Sequence, residues 1–314
     1  MKHFDRRHFF RAMAGGALVM PAIIQSAKAQ TPTSRVMLTG SETLYYAKGG
    51  SPNGNGTQAN PYPSATAIWN FLRDQCDLSG NNVLIQALPP SIQNPAYTDG
   101  ENFTGKLIGS NSAIQVKVAG NTANPYLYDT RLANPIFVAF AVNEGAQLSI
   151  EGFHMFSSQA NVAVDQPGSH LVQTGYMVCD TPQDHHWSAT NGGCVDLTAD
   201  YDIQSSTPGN HLNIFGAGAT MRCMSRLNVK LLGNSLSFAQ GFANLSGPCS
   251  LQTSNTNWFA GYGGYGPKLI ISGGGYCHTG SDDPKNHFPG STPVQNPIGT
   301  GGYLAGTNGL IPPG

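Results

Sequence analysis

Short apolar segments recur along most of the chain, and many of them alternate apolar and polar residues. A period of two is typical of a strand with one buried face. Turns rich in Gly and Asn separate the segments, and no crossover helices lie between them, so the pattern predicts an all-β fold. The predicted strands include Thr43–Ala47, Val83–Ile85, Ile114–Val118, Pro135–Val138, Gln147–Ile150, Leu171–Val172, Cys194–Leu197, His211–Ile214, Leu227–Leu231 and Lys268–Ile271.

One segment near the N-terminus follows a helical period instead. Ile68, Phe71 and Leu72 are spaced i, i+3 and i+4, which predicts one apolar helix face. Ser64 is placed to act as the N-cap. We therefore expect a short helix around residues 64–78. Its position before the main run of strands suits a cap over the open end of a strand stack, where strand edges would otherwise be unpaired.

Two all-β architectures compete for such short strands. A sandwich needs fewer and longer strands joined by hairpins, whereas a parallel β-helix stacks very short strands coil on coil. The segment lengths and the Asn, Ser and Gly corners favour the β-helix, as a single domain over residues 30–279. At roughly 20–30 residues per coil, residues 83–275 predict about seven to nine coils. Residues 280–314, rich in Gly and Pro, predict an extended tail without strands.

Residues 1–29 predict an export signal rather than a part of the fold. A basic start is followed by a short apolar stretch and by the small-x-small cleavage site Ala27-Lys28-Ala29. The run Asp5–Phe10 contains Arg6 and Arg7 and resembles the twin-arginine export signal. An ordinary secretory signal is the alternative. Both interpretations place the mature chain in the periplasm or outside the cell.

Composition and charge narrow the class of partner. Charged residues make up 11% of the chain, less than half of the roughly 25% found in average soluble proteins. The formal net charge of −1 removes the usual electrostatic basis for binding nucleic acid. No apolar run reaches the roughly 18 residues of a membrane span. We expect neither a nucleic-acid partner nor a membrane span, and the oligomeric state stays open.

The expected export makes disulfides between the six cysteines possible, because disulfides persist in oxidising compartments. No pair has the C-x-x-C spacing of a zinc knuckle or a thioredoxin-like motif. Either disulfides join neighbouring coils, or several of these residues are reduced thiols in the core. The cysteines concerned are Cys76, Cys179, Cys194, Cys223, Cys249 and Cys277.

Two segments carry a resemblance to a known superfamily. Residues 44–72 contain Leu-Tyr-Tyr-Ala, then Gly-Thr, then Pro-Tyr and an Ala-Ile-Trp helix start, and residues 143–153 read Asn-Glu-Gly-Ala-Gln-Leu-Ser-Ile-Glu-Gly-Phe. These segments resemble the opening and a coil of pectate-lyase-like proteins, which include secreted polysaccharide lyases and phage tailspike-like proteins. The resemblance implies a right-handed parallel β-helix, a solenoid with a short N-terminal capping helix, although this fold hosts many functions.

The same resemblance directs the search for catalytic residues. It implies that a lyase of this superfamily would hold Ca²⁺ through acidic residues and use an Arg or Lys as base, so Ca²⁺ is expected only for a lyase and no other cofactor or metal is expected. Turn-forming aspartates are the alternative. A catalytic site would bring the four candidates named in the next sentence, together with Asp165 and Arg226, within roughly 8 Å of one another. The candidate catalytic residues are Asp180, Asp184, Asp196 and Arg222.

Aromatic and histidine residues supply candidates for ligand binding. His185, His186 and Trp187 fall in a loop expected over 180–193, where a Trp beside His would suit stacking on a sugar ring. The alternative there is a solvated insertion with a half-buried Trp. The second candidate is the aromatic-glycine stretch 257–266. It contains Trp258 and Tyr262, and exposed aromatic residues that cluster in this way often mark a binding surface. The alternative is a loop whose rings cover the final coils.

The leading interpretation is an exported β-helix protein that acts at a polysaccharide or glycan surface, by binding or by cleavage of the lyase or glycoside hydrolase kind. The alternative is a non-catalytic structural module, adhesin-like or tailspike-like. With 17 Asp and Glu in total, the chain is poor in carboxylates, which favours binding over cleavage.

Overall fold

The computed structural model shows a chain built mainly of parallel strands. The expected export signal, Arg226 and Tyr262 lie outside the described residues. Among the strand pairs that are described, one alone is antiparallel. The structure describes residues 35–89, 100–128, 138–180, 184–204, 209–223, 227–232, 236–237, 242–253, 256–258, 264–295 and 301–311.

Three long sheets hold most of the strands, which are numbered in chain order. Sheet A contains β2 (Glu42–Tyr46), β4 (Val83–Ala87), β6 (Val116–Ala119), β8 (Gln147–Glu151), β11 (His170–Gln173), β14 (Cys194–Leu197), β17 (Thr220–Cys223), β21 (Ser250–Thr253), β25 (Tyr276–His278), β26 (Tyr303–Gly306) and β27 (Gly309–Ile311). Sheet B contains β5 (Glu101–Thr104), β7 (Val138–Asn143), β10 (Ala160–Asp165), β13 (His185–Thr190), β16 (Asn210–Phe215), β20 (Ala243–Ser246) and β24 (Leu269–Ser272).

Sheet C and two small sheets complete the strands. Sheet C contains β9 (His154–Phe156), β12 (Met177–Asp180), β15 (Tyr201–Ile203), β18 (Asn228–Leu231) and β22 (Asn257–Trp258). The two-stranded sheets pair β1 (Val36–Met37) with β3 (Cys76–Asp77), and β19 (Leu236–Ser237) with β23 (Gly264–Tyr265). Single 3-10 turns occupy Pro125–Tyr128 and Pro284–Asn286.

The order in which the chain enters the sheets is regular. From β8 to β18, successive strands join sheets A, C, B and then A again, so every third strand lies beside its predecessor in the same sheet. Leu171 pairs in register with Val195, and Leu212 pairs with Ala243, so the repeat that links β16 to β20 is longer than the one that links β11 to β14. This confirms the expected parallel stacking, and it is compatible with a β-helix.

The core consists of apolar ladders that cross the repeats. Leu148 and Ile150, predicted as inward residues of one strand, are fully buried on β8. Because strands alternate their two faces, the residues in register with Leu148 point to the same interior. The resulting ladder in sheet A contains Leu148, Leu171, Val195, Met221, Leu251, Cys277 and Leu304, all of them buried.

The predicted helix is present as α1 (Ala65–Gln75), and its start is capped as expected. The Ser64 Oγ accepts a hydrogen bond from the Ala67 N–H at 3.0 Å. The Glu101 carboxylate adds a second cap, since it accepts the Thr66 N–H at 2.6 Å. A negative charge at a helix N-terminus also interacts favourably with the helix dipole.

The apolar face of α1 packs against the first strands. Ile68 and Trp69 are fully buried, and the Trp69 indole donates to the Thr104 carbonyl at 2.9 Å. The helix ends earlier than expected because Cys76 adopts an extended conformation and begins β3. No described helix combines the length and apolar character that a bilayer span requires.

The C-terminal segment differs from the strandless tail that we expected. Within 280–314, β26 pairs in parallel with β25, and β27 then turns back antiparallel to β26. Leu304 and Ala305 are buried there, so the segment continues the apolar ladder of sheet A for one more strand. This short hairpin was not predicted because the high Gly and Pro content of the tail is typical of segments without strands.

The cysteines correct the disulfide expectation. All six are free thiols, and all but Cys194 are buried. Cys277 pairs in register with Leu251 and Leu304, so it occupies an apolar rung of the ladder and has no cysteine beside it there. The stack is therefore held by packing and strand hydrogen bonds, and the interpretation that disulfides join its coils is wrong.

Candidate functional site

The four candidate catalytic residues lie on or next to strands of three different sheets. Asp196 and Arg222 are in register on adjacent strands of sheet A. Asp180 ends β12 in sheet C, and Asp184 immediately precedes β13 of sheet B with its side chain exposed. Asp165, on β10, accepts hydrogen bonds from side chains at the end of β13. The structure thus joins Asp196 to Arg222 and places Asp180 among other partners.

The first site is a hydrogen-bonded group on the outer face of sheet A, here called the Cys194 cluster: His170, Cys194, Asp196 and Arg222. The Arg222 guanidinium binds the Asp196 carboxylate at both oxygens, each at 2.6 Å. The His170 Nε2 donates to the Asp196 Oδ2 at 2.8 Å. Bidentate, charge-assisted contacts of this kind fix orientation as well as add energy.

Strand alternation explains why these four residues share a face. Leu171 and Val195 point into the core, so their neighbours His170, Cys194 and Asp196 point outward. His170 is in register with Cys194 on β14. Its imidazole reaches diagonally to Asp196, further along that strand on the same face.

The charges of the cluster support one another. Burial raises the pKa of Asp196, but hydrogen bonds from His170 and Arg222 outweigh it and hold that pKa below its usual range. Burial lowers the pKa of His170, but hydrogen bonds to Asp196 and Cys194 outweigh it and raise the pKa to about 9. At neutral pH the cluster therefore holds an imidazolium, a guanidinium and a carboxylate.

The Cys194 thiol lies at the edge of this network. Its Sγ is 3.8 Å from the Arg222 Nη2 and 3.9 Å from the Asp196 Oδ1. Burial raises the pKa of Cys194, but hydrogen bonds from His170 and Thr220 outweigh it, and the net pKa is lowered. Ligand-type atoms of His170, Cys194 and Asp196 lie within 4.8 Å of one another. The Asp196 carboxylate is already engaged by two cationic donors, so the set is an ion-pair cluster rather than a metal site.

A second site lies on sheet C and the segments beside it, here called the Asp180 cluster: Tyr126, His154, Tyr176, Asp180 and Asp202. The His154 Nε2 donates to the Asp180 Oδ2 at 3.1 Å. The Tyr176 hydroxyl donates to the Asp202 Oδ2 at 2.6 Å. His154, Asp180 and Asp202 are all buried. The site is therefore a set of proton-carrying groups beneath the surface.

Tyr126 covers this cluster and remains 46% exposed. Its ring lies 4.7 Å from the His154 ring, between centroids. Burial raises the pKa of Tyr126, and the charges of Asp202 and Asp180 raise it further, which places both carboxylates in its electrostatic environment. A partly exposed aromatic side chain beside buried carboxylates can contact a ligand while hydrogen-bonding groups lie near it.

Calcium does not fit these carboxylates. Ca²⁺ takes six to eight oxygen ligands. Asp180, Asp196 and Asp202 each accept a hydrogen bond from a histidine, arginine or tyrosine side chain. Within the described ranges no three carboxylates converge on one point. No calcium-dependent step is therefore part of the function proposed below.

The His-Trp segment is placed differently from the expected loop. Residues 185–190 form β13, in register between β10 and β16. His186 and Trp187 are fully buried, and the Trp187 ring packs against Tyr201 at 5.7 Å between centroids. The buried His211 lies between the Tyr201 hydroxyl, at 2.6 Å, and the His186 Nδ1, at 3.1 Å. Of the three candidates for ligand binding in this segment, His185 alone is partly exposed, and burial lowers its pKa.

Trp258 is also enclosed. Its indole donates to the His287 Nε2 at 3.1 Å, and its ring lies 5.8 Å from Phe288. This agrees with aromatic rings that cover the final strands, which was the alternative to ligand binding. Burial lowers the pKa of His287 to about 4, so this imidazole is neutral at ordinary pH.

Several residues of both clusters are absent from the sequence-based candidates. His154, His170, Tyr126 and Tyr176 were not singled out. A sequence signal for these pairs exists, because His154 and Asp180, Tyr176 and Asp202, and His170 and Asp196 are each separated by 26 residues.

Comparisons of the chain with protein-family models, with curated proteins and with solved structures find no match.

Proposed function

We propose that this chain is an exported, right-handed parallel β-helix protein that acts at a carbohydrate surface, by binding a polysaccharide or by cleaving it. The Asp180 cluster carries the proposal. An exposed tyrosine ring lies above a buried carboxylate-histidine pair on a stack of parallel strands. The low overall charge supports a hydroxyl-rich ligand over a polyelectrolyte.

Each group of the cluster has a defined part in this proposal. The Tyr126 ring packs against the apolar face of a sugar ring. Asp180 and Asp202 accept hydrogen bonds from sugar hydroxyls in a binding protein. In a cleaving enzyme, the His154–Asp180 pair and Asp202 are the groups that move protons, as general acid-base chemistry requires.

The test is binding and cleavage with the purified mature chain on a panel of neutral and acidic polysaccharides. Calorimetry measures binding, and new reducing ends or unsaturated products report cleavage. Tyr126→Ala should weaken binding by about tenfold, the size of one lost aromatic contact. Asp180→Asn should reduce affinity or abolish cleavage. The matched controls are Tyr303→Ala and Asp282→Asn, both exposed and outside the cluster. Equal affinities for Tyr126→Ala and Tyr303→Ala would contradict the proposal.

A structural module is the second candidate, and one observation favours it. The polar side chains of both clusters bond to one another between neighbouring repeats, as they would if their task were to hold the repeats in register. In that case no polysaccharide of the panel binds, and Asp180→Asn lowers the melting temperature instead. Binding of a glycan with an unchanged melting temperature in Tyr126→Ala would exclude this alternative.

A further inference from the structure

Cys194 differs from the other five cysteines in its surroundings. They are buried, and burial raises the pKa of each of their thiols. Cys194 is partly exposed on the outer face of sheet A, with charged groups beside it. Reactive cysteines are those that are accessible and lie next to cations. One thiol is therefore placed where it can react, and the other five are placed where they fill the core or lie buried near it.

We propose that Cys194 is a reactive thiol that undergoes exchange with a small anionic disulfide, with His170 and Arg222 as the cations that stabilise its thiolate. The proposal concerns a modification site and does not depend on carbohydrate binding. It rests on the placement of the Sγ among side chains of three adjacent strands.

Every strand packed against Cys194 contributes a group that faces it. His170 comes from β11, and Arg222 and Thr220 come from β17. Among the residues that the structure describes on these three strands, Asp196, next but one to Cys194 on the same strand, is the carboxylate that faces the Sγ, at 3.9 Å. Its charge is compensated by the bidentate Arg222 contact, while the His170 imidazolium adds a further positive charge. The sum of these charges favours the thiolate over the neutral thiol.

The exchange step balances without any further reactant. The Cys194 thiolate attacks one sulfur of the small disulfide, and a new S–S bond forms as the old one breaks. The electron pair of the broken bond stays on the leaving sulfur, which takes a proton from water and departs as a free thiol. Cys194 is oxidised to a mixed disulfide while the small disulfide is reduced. The partly exposed Arg222 guanidinium offers a contact for a carboxylate of the disulfide.

The experiment uses the folded chain and glutathione disulfide as the probe. Intact-mass measurement should show one adduct per chain, and peptide mapping should place it at Cys194. Alkylation of Cys194 should reach half its maximal rate at a pH below the value of about 8.5 for a free cysteine. At pH 7, His170→Asn should slow alkylation by about tenfold, because it removes the neighbouring positive charge. His170→Lys should restore part of the rate.

Matched controls keep the result decisive. His278→Asn changes a histidine on the same sheet, two strands beyond Arg222, and should leave the rate at Cys194 unchanged. Cys194→Ser should remove the adduct. The proposal is overturned by the absence of an adduct on the native chain, by an adduct mainly on a buried cysteine, or by an ordinary thiol pH profile. Faster labelling after a chelator would also overturn it, since that would indicate a bound metal. If His170→Asn fails to fold, the wild-type pH profile and the mapped adduct decide.

Discussion

The inward ladder of sheet A makes a direct prediction for Leu148→Ala. Leu148 is fully buried on β8 and pairs in register with Leu171 on β11. The ladder continues through Val195 on the next strand. An alanine at this position removes the outer part of one rung while the rungs on either side are held by their own strands. The structure is therefore poorly able to collapse into the space.

The size of the effect can be worked from this burial. Three buried carbon groups are removed, at about 0.8 kcal/mol each, which gives about 2.4 kcal/mol for the lost transfer free energy. A cavity that does not collapse adds to this, and Leu→Ala changes in rigid cores cost about 2–5 kcal/mol in total. We expect the free energy of unfolding of Leu148→Ala to fall within that range below the wild-type value.

Urea denaturation followed by circular dichroism measures this loss. The matched control is Leu310→Ala, the same substitution at a leucine that is 66% exposed on β27, and it should cost less than about 1 kcal/mol. If Leu148→Ala costs no more than Leu310→Ala, the ladder is not a continuous packed core. The inference that apolar packing contributes to holding the repeats together would then be wrong.

Three further predictions test the N-terminal helix, the export signal and the Cys194 cluster. Ile68→Asp puts a carboxylate at a fully buried position against the first strands, so it should destabilise by several kcal/mol and promote aggregation; an unchanged melting temperature would show that the helix does not cap the stack. Replacing Arg6 and Arg7 by Lys should hold the precursor in the cytoplasm, as cell fractionation would show, whereas normal processing would indicate the general secretory route. The raised pKa of His170, about 9 against 6.5, stabilises the fold fully below pH 6.5, and this contribution is lost as the pH rises through 9. Urea denaturation at pH 6 and pH 9.5 should therefore show a loss on the order of 1–3 kcal/mol that His170→Asn lacks, and an equal loss in the variant would contradict it.

Local pattern was enough to predict the elements that depend on local physics. Residues 147–151 alternate because one face of that strand packs in the core, and the structure has a strand there. Ser64 caps the helix because a hydroxyl at that position satisfies a free N–H of the first turn. Both signals are contained within a few residues of sequence. The parallel stacking followed from the shortness of such strands and the turns between them.

The site depended on information that local pattern lacks. The partner of a residue on the outer face is set by the length of one repeat, and that length varies along the chain. The step from Thr220 to its partner Ser250 is longer than the step from His170 to its partner Cys194. Without the register, candidate aspartates such as Asp180 could not be assigned to a sheet. Trp187 was wrongly expected in a loop because its neighbours in the sequence are polar. In the structure it lies on β13, where packing buries its ring.

The two histidine–aspartate hydrogen bonds that span 26 residues, one in each cluster, have the same geometric origin. The direct partner of His170 is Cys194, yet its imidazole bonds to Asp196, the next residue on the same face of that strand. His154 likewise pairs in register with Val178 and bonds to Asp180. These are diagonal contacts, which long polar side chains can reach. The direct rungs on the inner face of sheet A form the apolar core, and on its outer face Asp196 and Arg222 also pair directly.

This geometry places both clusters in the regular middle of the stack. Both clusters use strands between β9 and β17, together with Tyr126 and Tyr176 beside them, and sheets A and C advance there by short and similar steps. Beyond β17 the next step of sheet A is longer, and the in-register partner of Arg222 is the neutral Gln252. A ligand that spans several repeats would therefore find its charged partners on the outer faces of these central strands. At the ends of the stack, α1 packs against the first strands and the β26–β27 hairpin extends the apolar ladder of sheet A, and neither contributes a residue to the two clusters.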